Sequence, residues 1–273
     1  MKSIVRAICA AAGFAACTPA MAIFTNGGFE SGTFGSWTTG SGINTGLTGA
    51  QPFTSASIGL GSGGSFRGSV VTTGAVELSG APITLPYSGT YTARVNNADT
   101  GGIANYITQA DVITNADRDA ADGKLHVRFA YAVVLSNPGH SPSGQPYFFI
   151  RVRNVTKNTT LFEDFSFAGQ TGTQFVPIPS NTSTLYLNWK PADVVVPDAD
   201  LGDSIEVYLL ASDCQPTGHT GYAYLDGFGS AVVTQGATAT VVPTLSESAL
   251  LGLGALLFGS ALFATRRSRA GKA

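Results

Sequence analysis

The chain has 273 residues, of which 44% are hydrophobic and only 12% are charged, and it contains 34 glycines. Nine basic and sixteen acidic residues fall between residues 23 and 240, so this segment carries a net charge of −7. Binding to nucleic acid needs clustered Lys and Arg that neutralise phosphates. Because the segment has no such cluster, its composition argues against nucleic acid as a partner and is compatible with neutral glycans and divalent cations.

The first 22 residues have the order of a secretory signal peptide. The basic residues Lys2 and Arg6 are followed by an apolar run, residues 7–16, and by the Ala-x-Ala triplet Ala20-Met21-Ala22. The export machinery recognises this order and removes the segment. We therefore predict that the mature chain begins at Ile23. A lipoprotein signal ending at Cys17 is the alternative, although the three residues before Cys17 lack the usual leucine.

Residues 23–240 are predicted to form a single all-β domain, because their length suits one large β domain better than two. Runs of β-branched and aromatic residues recur between clusters of Gly, Asn, Asp and Pro, a pattern typical of an antiparallel β-sandwich. The predicted strands are residues 69–72, 76–78, 90–95, 106–112, 125–135, 147–155, 160–165, 185–189, 204–210 and 222–228. Residues 51–68 and 137–146 are predicted loops, rich in Gly, Ser and Pro.

Two predicted strands show clear alternation. In residues 125–131 the odd positions are apolar and the even positions are polar or small. In residues 147–153 the even positions are apolar, whereas Phe149, Arg151 and Arg153 share the other face. Successive side chains of a strand point to opposite faces of its sheet. We therefore expect one face of each strand to pack inward and Arg153 to lie at the surface.

The last 33 residues, 241–273, are predicted to form a membrane-directed tail. The sequence Val242-Pro243-Thr244-Leu245-Ser246-Glu247 leads into the uncharged residues 249–264, and Arg266, Arg267, Arg269 and Lys272 follow. A bilayer core needs roughly 20 apolar residues, with about 17 as a lower limit. Residues 249–265 are therefore predicted to span the membrane as one short helix. The basic cluster favours the cytoplasmic side, which places the β domain outside the cell.

This tail resembles the IPTL-CTERM and PEP-CTERM sorting signals of Gram-negative bacteria, which combine a short motif, a membrane span and a pair of arginines. The resemblance rests on Pro243 to Glu247 and on Arg266-Arg267. It implies that an exosortase-like cysteine protease in the membrane processes the protein during export to the cell envelope or extracellular matrix. Val242 replaces the usual Ile of the first motif, and Pro-Thr replaces the Pro-Glu-Pro of the second. The sorting enzyme therefore stays unidentified, and a plain membrane anchor is the alternative.

The start of the mature chain, Asn26-Gly27-Gly28-Phe29-Glu30 followed by Trp37, resembles the first strand of galactose-binding-like jelly rolls, which include calcium-binding carbohydrate-binding modules. The end of the domain, from Gly221 to Phe228, resembles their last strand. The resemblance implies a structural Ca²⁺ bound by Glu30 and Asp226, and Ca²⁺ prefers six to eight oxygen ligands. In the alternative, both carboxylates accept hydrogen bonds from turns without a metal.

One cysteine remains after removal of the signal peptide, so Cys214 has no partner for an internal disulfide. Asp213, Cys214, His219 and His140 are residue types that bind transition metals, but their spacing is not diagnostic. Each histidine follows a glycine. We interpret both as loop residues that hydrogen-bond the backbone, and Cys214 as a buried free thiol, since an exposed thiol in an oxidising compartment would react.

The sequence has no motif for nucleophilic, zinc-protease or phosphate-binding catalysis. The adjacent Glu163 and Asp164 point to opposite faces of a strand, whereas a glycosidase pair must flank one bond. A pair formed by Glu77 and Glu206 is left open. We therefore predict that the protein is not an enzyme, with a glycan hydrolase as an alternative.

We predict that the chain is an exported surface protein with a non-catalytic module that binds carbohydrate, with a polysaccharide as the expected ligand. Sugar binding needs an exposed aromatic side chain and hydrogen-bonding groups, and the aromatic candidates are Tyr87, Tyr91, Tyr106, Tyr147 and Trp189. A structural matrix or adhesin component without specific sugar binding is the alternative.

Overall fold

The computed structural model describes residues 23–236, and these residues form two six-stranded antiparallel sheets. The strands are β1 (Thr38–Leu47), β2 (Ile58–Gly61), β3 (Ser69–Thr72), β4 (Tyr91–Val95), β5 (Ile103–Val112), β6 (Leu125–Ser136), β7 (Tyr147–Asn154), β8 (Thr159–Phe167), β9 (Val176–Ile178), β10 (Asn181–Val196), β11 (Ser204–Ser212) and β12 (Gly221–Gly229). Short 3-10 helices lie at Ser55–Ser57, Asn115–Asp117, Pro142–Gly144 and Asp198–Asp200. The predicted all-β antiparallel sandwich is confirmed.

Sheet I has the strand order β2-β1-β5-β11-β7-β8, and sheet II has the order β3-β4-β12-β6-β10-β9. The inner faces of the two sheets enclose the main core. In β6 the odd residues from Leu125 to Leu135 point into this core, and in β7 the inward residues are Phe148, Ile150 and Val152. Both alternations predicted from the sequence are therefore confirmed.

The strand predictions differ from the structure in several elements. The strand β10 is much longer than the predicted residues 185–189, and β2 lies inside the predicted loop of residues 51–68. Residues 76–78 form no strand, and Val76 is 84% exposed. The strands β1, β2 and β9 were not predicted. They are rich in Gly and Thr or are very short, so they lack the dense apolar run that marks a strand in a sequence.

The N-terminal segment, residues 23–37, packs across the open end of the core. Phe29 is fully buried and stacks on Trp37, with ring centroids 4.9 Å apart. The indole Nε1 of Trp37 donates to the backbone oxygen of Asn26 at 3.1 Å. A Cβ added at Gly27 would overlap the carbonyl oxygen of Phe228 in β12, so only glycine fits this contact.

Two loops cover the outer faces of the sheets to different extents. The loop of residues 73–90 lies on the outer face of sheet II, where Ala81, Ile83 and Leu85 bury Tyr222 and Tyr224. The loop of residues 48–57 covers one side of the outer face of sheet I, with Phe53 packed on Phe167 and with Ser55 bound to Glu163 at 2.7 Å. The other side of sheet I keeps half-exposed side chains.

The predicted signal peptide (1–22), sorting motif (242–247), membrane span (249–265) and Arg266-Arg267 pair lie outside the described residues. Within residues 23–236, no helix is long and apolar enough to cross a bilayer.

Candidate functional site

The half-exposed part of the outer face of sheet I carries two stacked tyrosines, Tyr106 on β5 and Tyr208 on β11. Their ring centroids are 5.3 Å apart and their planes differ by 27°. A Cβ added at Gly40 on the neighbouring strand β1 would overlap the ring of Tyr106. The absence of a side chain at Gly40 therefore lets Tyr106 lie across β1, and the two rings form a flat surface.

Charged groups border these rings. Arg153 Nε lies 2.9 Å and Arg151 Nη2 lies 3.5 Å from Glu206 Oε1. The three side chains are 18 to 30% exposed, and the guanidinium of Arg151 lies 5.7 Å from the ring centre of Phe149. Arg153 is thus partly exposed on the predicted face of β7.

Burial, and after it the neighbouring Tyr106, raises the pKa of the Tyr208 hydroxyl above its ordinary value. The hydroxyl therefore stays protonated at neutral pH and can donate or accept a hydrogen bond. We name the surface formed by Tyr106, Tyr208, Arg151, Arg153 and Glu206 the sheet I surface. It combines flat aromatic rings with planar donors and one carboxylate acceptor, the groups that bind hydroxyl-rich ligands.

Of the five aromatic residues singled out in the sequence, only Tyr106 lies on this surface. Tyr147 and Tyr87 are buried. Trp189 packs against Tyr87 and donates from Nε1 to Thr84 O at 2.7 Å, so it holds the 73–90 loop. Tyr208 was missed by the sequence analysis. In an alternating strand, Tyr208 lies two residues after Glu206, and this spacing places both side chains on the outer face of the sheet. The sequence therefore held a signal that Tyr208 is partly exposed.

The two predicted calcium ligands, Glu30 and Asp226, both bind the short segment of residues 87–91. Asp226 Oδ2 accepts from the backbone N–H of Tyr87 at 2.9 Å and of Ser88 at 3.0 Å. Glu30 Oε1 accepts from the N–H groups of Thr90 at 3.0 Å and of Tyr91 at 3.3 Å. The structure therefore brings both carboxylates to one loop, and the shared binding of Ca²⁺ stays a prediction.

The environments of the two carboxylates differ. Glu30 is exposed, whereas Asp226 is 1% exposed. Burial raises the pKa of Asp226 to about 7, and the negative charge of Glu30 adds to this effect, while backbone hydrogen bonds oppose it. Two carboxylates that repel each other at one loop are a donor set that suits a hard cation such as Ca²⁺. The same backbone hydrogen bonds also fit the alternative without a metal.

A second cluster joins His140, Cys214 and His219. His140 Nε2 lies 3.2 Å and Cys214 Sγ lies 3.6 Å from His219 Nδ1. Burial, followed by repulsion from His140, lowers the pKa of His219. Cys214 is fully buried, as predicted. The two imidazoles contact each other, and the prediction that they bind the backbone is wrong.

Asp213 does not belong to this cluster, although the sequence analysis had grouped it with Cys214. Its carboxylate accepts from Asn96 Nδ2 at 3.0 Å and from the N–H of Ile103 at 3.2 Å, and it pairs with Arg67 at 3.5 Å. Burial raises its pKa to about 6. Adjacent residues at a strand end point in opposite directions, so Asp213 stabilises the interior while Cys214 faces the loops.

The carboxylate pairs considered for hydrolysis are separated. Glu77 lies under the 73–90 loop on the outer face of sheet II, where Tyr222 donates to it, whereas Glu206 lies on the outer face of sheet I. Glu163 binds Ser55 on the outer face of sheet I, while Asp164 points to the opposite side and pairs with Lys190. Neither pair can flank one glycosidic bond.

No family model matches the chain, and no curated protein matches it. Among solved structures, it is similar to the CBM27-1 module of Caldicellulosiruptor saccharolyticus in complex with mannohexaose (13% identity, 74% of this chain and 93% of that chain, TM-score 0.36). It is also similar to the K2 cleaved adhesin domain of Lys-gingipain (14%, 74% and 94%, 0.33) and to a Stig cyclase from Fischerella sp. TAU (17%, 76% and 94%, 0.34). At these identities and TM-scores, the similarities assign no function to the chain.

Proposed function

We propose that this chain is an exported surface protein whose β-sandwich binds carbohydrate, without catalysis, on the sheet I surface. The observation that carries the proposal is the half-exposed, stacked pair of Tyr106 and Tyr208 beside Arg151, Arg153 and Glu206. The apolar C–H face of a sugar ring packs on flat aromatic rings, and its hydroxyls need donors and acceptors at the rim. The sheet I surface offers both.

The opposite face of the sandwich is less suitable. On the outer face of sheet II, the 73–90 loop buries Tyr222 and Tyr224 among apolar side chains. A polysaccharide chain is long and needs an open surface along which several rings can lie. Sheet I is therefore the binding face that we propose, with a galactose-binding-like jelly-roll arrangement.

Export and retention form the second part of the proposal and rest on the sequence of the two ends. Residues 1–22 act as the signal peptide, and residues 249–265 with the following arginines hold the precursor in the membrane. An exosortase-like protease then processes the tail after the Val242 to Glu247 motif is recognised. The β domain thereby reaches the cell surface or the extracellular matrix.

A structural Ca²⁺ at Glu30 and Asp226 is the third part of the proposal. Both carboxylates bind the segment of residues 87–91. This segment includes the end of the 73–90 loop, which lies on the outer face of sheet II. The ion would offset the repulsion between the two carboxylates and would join the N-terminal segment, β12 and this loop. Its role is to stabilise the fold, away from the sheet I surface.

The carbohydrate proposal is tested by measuring binding of the purified protein to bacterial matrix polysaccharides, using pull-down and calorimetry. We expect saturable binding that Tyr106→Ala and Tyr208→Ala each weaken about two- to tenfold. A lost stacking contact is worth about 0.5 to 1.5 kcal/mol, and about 1.4 kcal/mol is a factor of ten in affinity. Tyr186→Ala is the matched control, because Tyr186 is a half-buried tyrosine on the outer face of sheet II.

The outcomes separate the alternatives. A structural matrix component without sugar specificity predicts no saturable binding, together with an altered biofilm when the chain is deleted. A hydrolase predicts release of reducing ends by the purified protein. Equal losses of binding in Tyr186→Ala and Tyr106→Ala would contradict the assignment of the binding face to sheet I.

A further inference from the structure

The His140, Cys214 and His219 side chains meet between two loops that are distant in sequence. Cys214 and His219 belong to the loop between β11 and β12, and His140 belongs to the loop between β6 and β7. Each potential ligand atom lies within 4.8 Å of the other two. The sheet I surface and the calcium ligands do not include these residues, so this cluster is independent of the proposed function.

Backbone contacts hold the cluster in place without any ion. The N–H of Cys214 donates to the carbonyl oxygen of His219 at 2.9 Å, which closes the β11–β12 loop. The N–H of Gln215 donates to the carbonyl oxygen of Gly144 at 3.1 Å and joins this loop to the β6–β7 loop. Gln145 Nε2 donates to the carbonyl oxygen of His140 at 3.1 Å. The three side chains are therefore preorganised by their own loops.

Two of the three distances between the ligand atoms match those of a tetrahedral metal centre. With Zn–N bonds of about 2.05 Å and Zn–S bonds of about 2.3 Å, tetrahedral angles place two nitrogens about 3.3 Å apart and a nitrogen and a sulfur about 3.6 Å apart. The observed separations from His219 Nδ1 are 3.2 Å to His140 Nε2 and 3.6 Å to Cys214 Sγ. The third separation, between His140 Nε2 and Cys214 Sγ, is within 4.8 Å.

Hydrogen bonds alone satisfy the cluster poorly. His140 Nε2 and Cys214 Sγ both contact the same atom, His219 Nδ1. One imidazole nitrogen has either one proton to donate or one lone pair to accept with, so the two partners compete for it. An ion among the three atoms would accept one lone pair from each of them at once.

We propose that His140, Cys214 and His219 form a binding site for a zinc-class transition metal ion. A thiolate and two imidazoles are ligands that Zn²⁺ prefers and Ca²⁺ does not. Binding releases the thiol proton of Cys214 to solvent, and the thiolate sulfur donates its electron pair to the metal. Both histidines are half exposed while Cys214 is buried, so the fourth coordination position faces solvent and can take water or a ligand from outside.

The other group of potential ligands, Asp119, Asp122 and His126, suits a metal less. Both ring nitrogens of His126 already contact carboxylates, those of Asp193 at 2.5 Å and Asp122 at 3.2 Å. Asp119 pairs with Arg128 at 2.6 Å. A cation there would have to displace an arginine that already neutralises this group.

The test uses the full-length protein, purified, stripped of metal by a chelator and then titrated with ZnCl₂ in the presence of excess CaCl₂. We expect one Zn²⁺ per chain, and we expect Cys214→Ser, His140→Gln and His219→Gln each to weaken binding at least tenfold. Titration with CoCl₂ should produce a near-ultraviolet thiolate-to-metal absorption band that Cys214→Ser abolishes. Cys214→Ala serves as a second variant, because it removes the thiol while adding no polar group to the buried position.

The matched control is Asp122→Asn, which alters the other group of potential ligands and should leave zinc binding unchanged. Circular dichroism of each variant checks that it has folded. The proposal is overturned if folded wild-type protein binds no stoichiometric Zn²⁺. It is also overturned if the folded Cys214 variants bind Zn²⁺ as tightly as the wild type, or if only Asp122→Asn loses binding.

Discussion

The N-terminal Asn-Gly-Gly-Phe-Glu motif is explained by what each side chain contacts. Asn26 Nδ2 donates to the carbonyl oxygens of Thr33 at 2.9 Å and Gly35 at 3.0 Å, and so closes the turn. Phe29 fills the core beside Trp37, and Gly27 allows the chain to touch β12. Most of the motif therefore stabilises the fold, and only Glu30 is left as a candidate metal ligand.

The calcium proposal predicts a change in thermal stability that depends on Glu30 and Asp226. An ion present at about 100 times its Kd contributes about 2.7 kcal/mol, which corresponds to roughly 5 to 10 °C in the Tm of a domain of this size. We expect CaCl₂ to raise by this amount the Tm of wild-type protein that EDTA has first stripped of all metal ions. Scanning calorimetry measures this change.

Glu30→Gln and Asp226→Asn should melt at the same temperature with EDTA or with CaCl₂. Glu163→Gln is the control, because this carboxylate lies on sheet I and binds Ser55, and it should keep the full response. A wild-type Tm that CaCl₂ does not change would contradict the calcium proposal. It would not bear on the zinc proposal.

The buried carboxylate of Glu77 holds the 73–90 loop in position. Glu77 Oε2 accepts from the N–H groups of Ser79 at 2.8 Å and Ala81 at 2.9 Å, while Oε1 accepts from the hydroxyls of Tyr222 at 2.5 Å and Tyr224 at 3.3 Å. The loop thus folds around Glu77, and the two tyrosines fasten it to β12. This explains why residues 76–78 form no strand despite their apolar residues.

Removing one hydroxyl from this arrangement should loosen the loop. Because a hydrogen bond to a charged group is worth about 1.5 to 3 kcal/mol, Tyr222→Phe should lower the free energy of unfolding by that amount. Tyr224→Phe removes the longer bond to the same oxygen and should cost less. Urea unfolding measures the loss, and hydrogen exchange should speed up within residues 73–90. Equal effects of the two variants would show that the 2.5 Å bond does not fasten the loop.

The whole sandwich contains several buried tyrosines, and this predicts its behaviour at alkaline pH. Burial raises the pKa of Tyr147 from 10.0 to about 12, and burial also raises those of Tyr131, Tyr222 and Tyr224. The folded state therefore holds these protons more tightly than the unfolded state does. The stabilisation is complete below pH 10 and, for Tyr147, is lost as the pH rises to about 12.

We expect the urea midpoint of unfolding to fall steadily as the pH rises above 10. Tyr147→Phe removes one of the titrating hydroxyls, so its midpoint should fall less steeply over this range, although the remaining tyrosines still contribute. A midpoint that stays constant from pH 9.5 to 11.5 would contradict the burial of these hydroxyls.

Much of the fold was predictable because a half-buried strand leaves a local mark on its sequence. Alternation in residues 125–131 and 147–153 identified the strands β6 and β7. By contrast, β1 and β2 are held by their partners and by glycines that make room for neighbouring rings, such as Gly40 beneath Tyr106. Such strands depend on tertiary contacts and carry little signal of their own.

By itself, the sequence determined the all-β class and most strands, since both follow from local patterns. The export and sorting signals and the calcium site at Glu30 and Asp226 rest on motifs and stay predictions. Only the tertiary structure decided which tyrosines are half exposed, separated Glu77 from Glu206, and placed His140 beside Cys214 and His219. The physical reason is that accessibility and side-chain clustering depend on contacts between segments far apart in the chain, which no local pattern records.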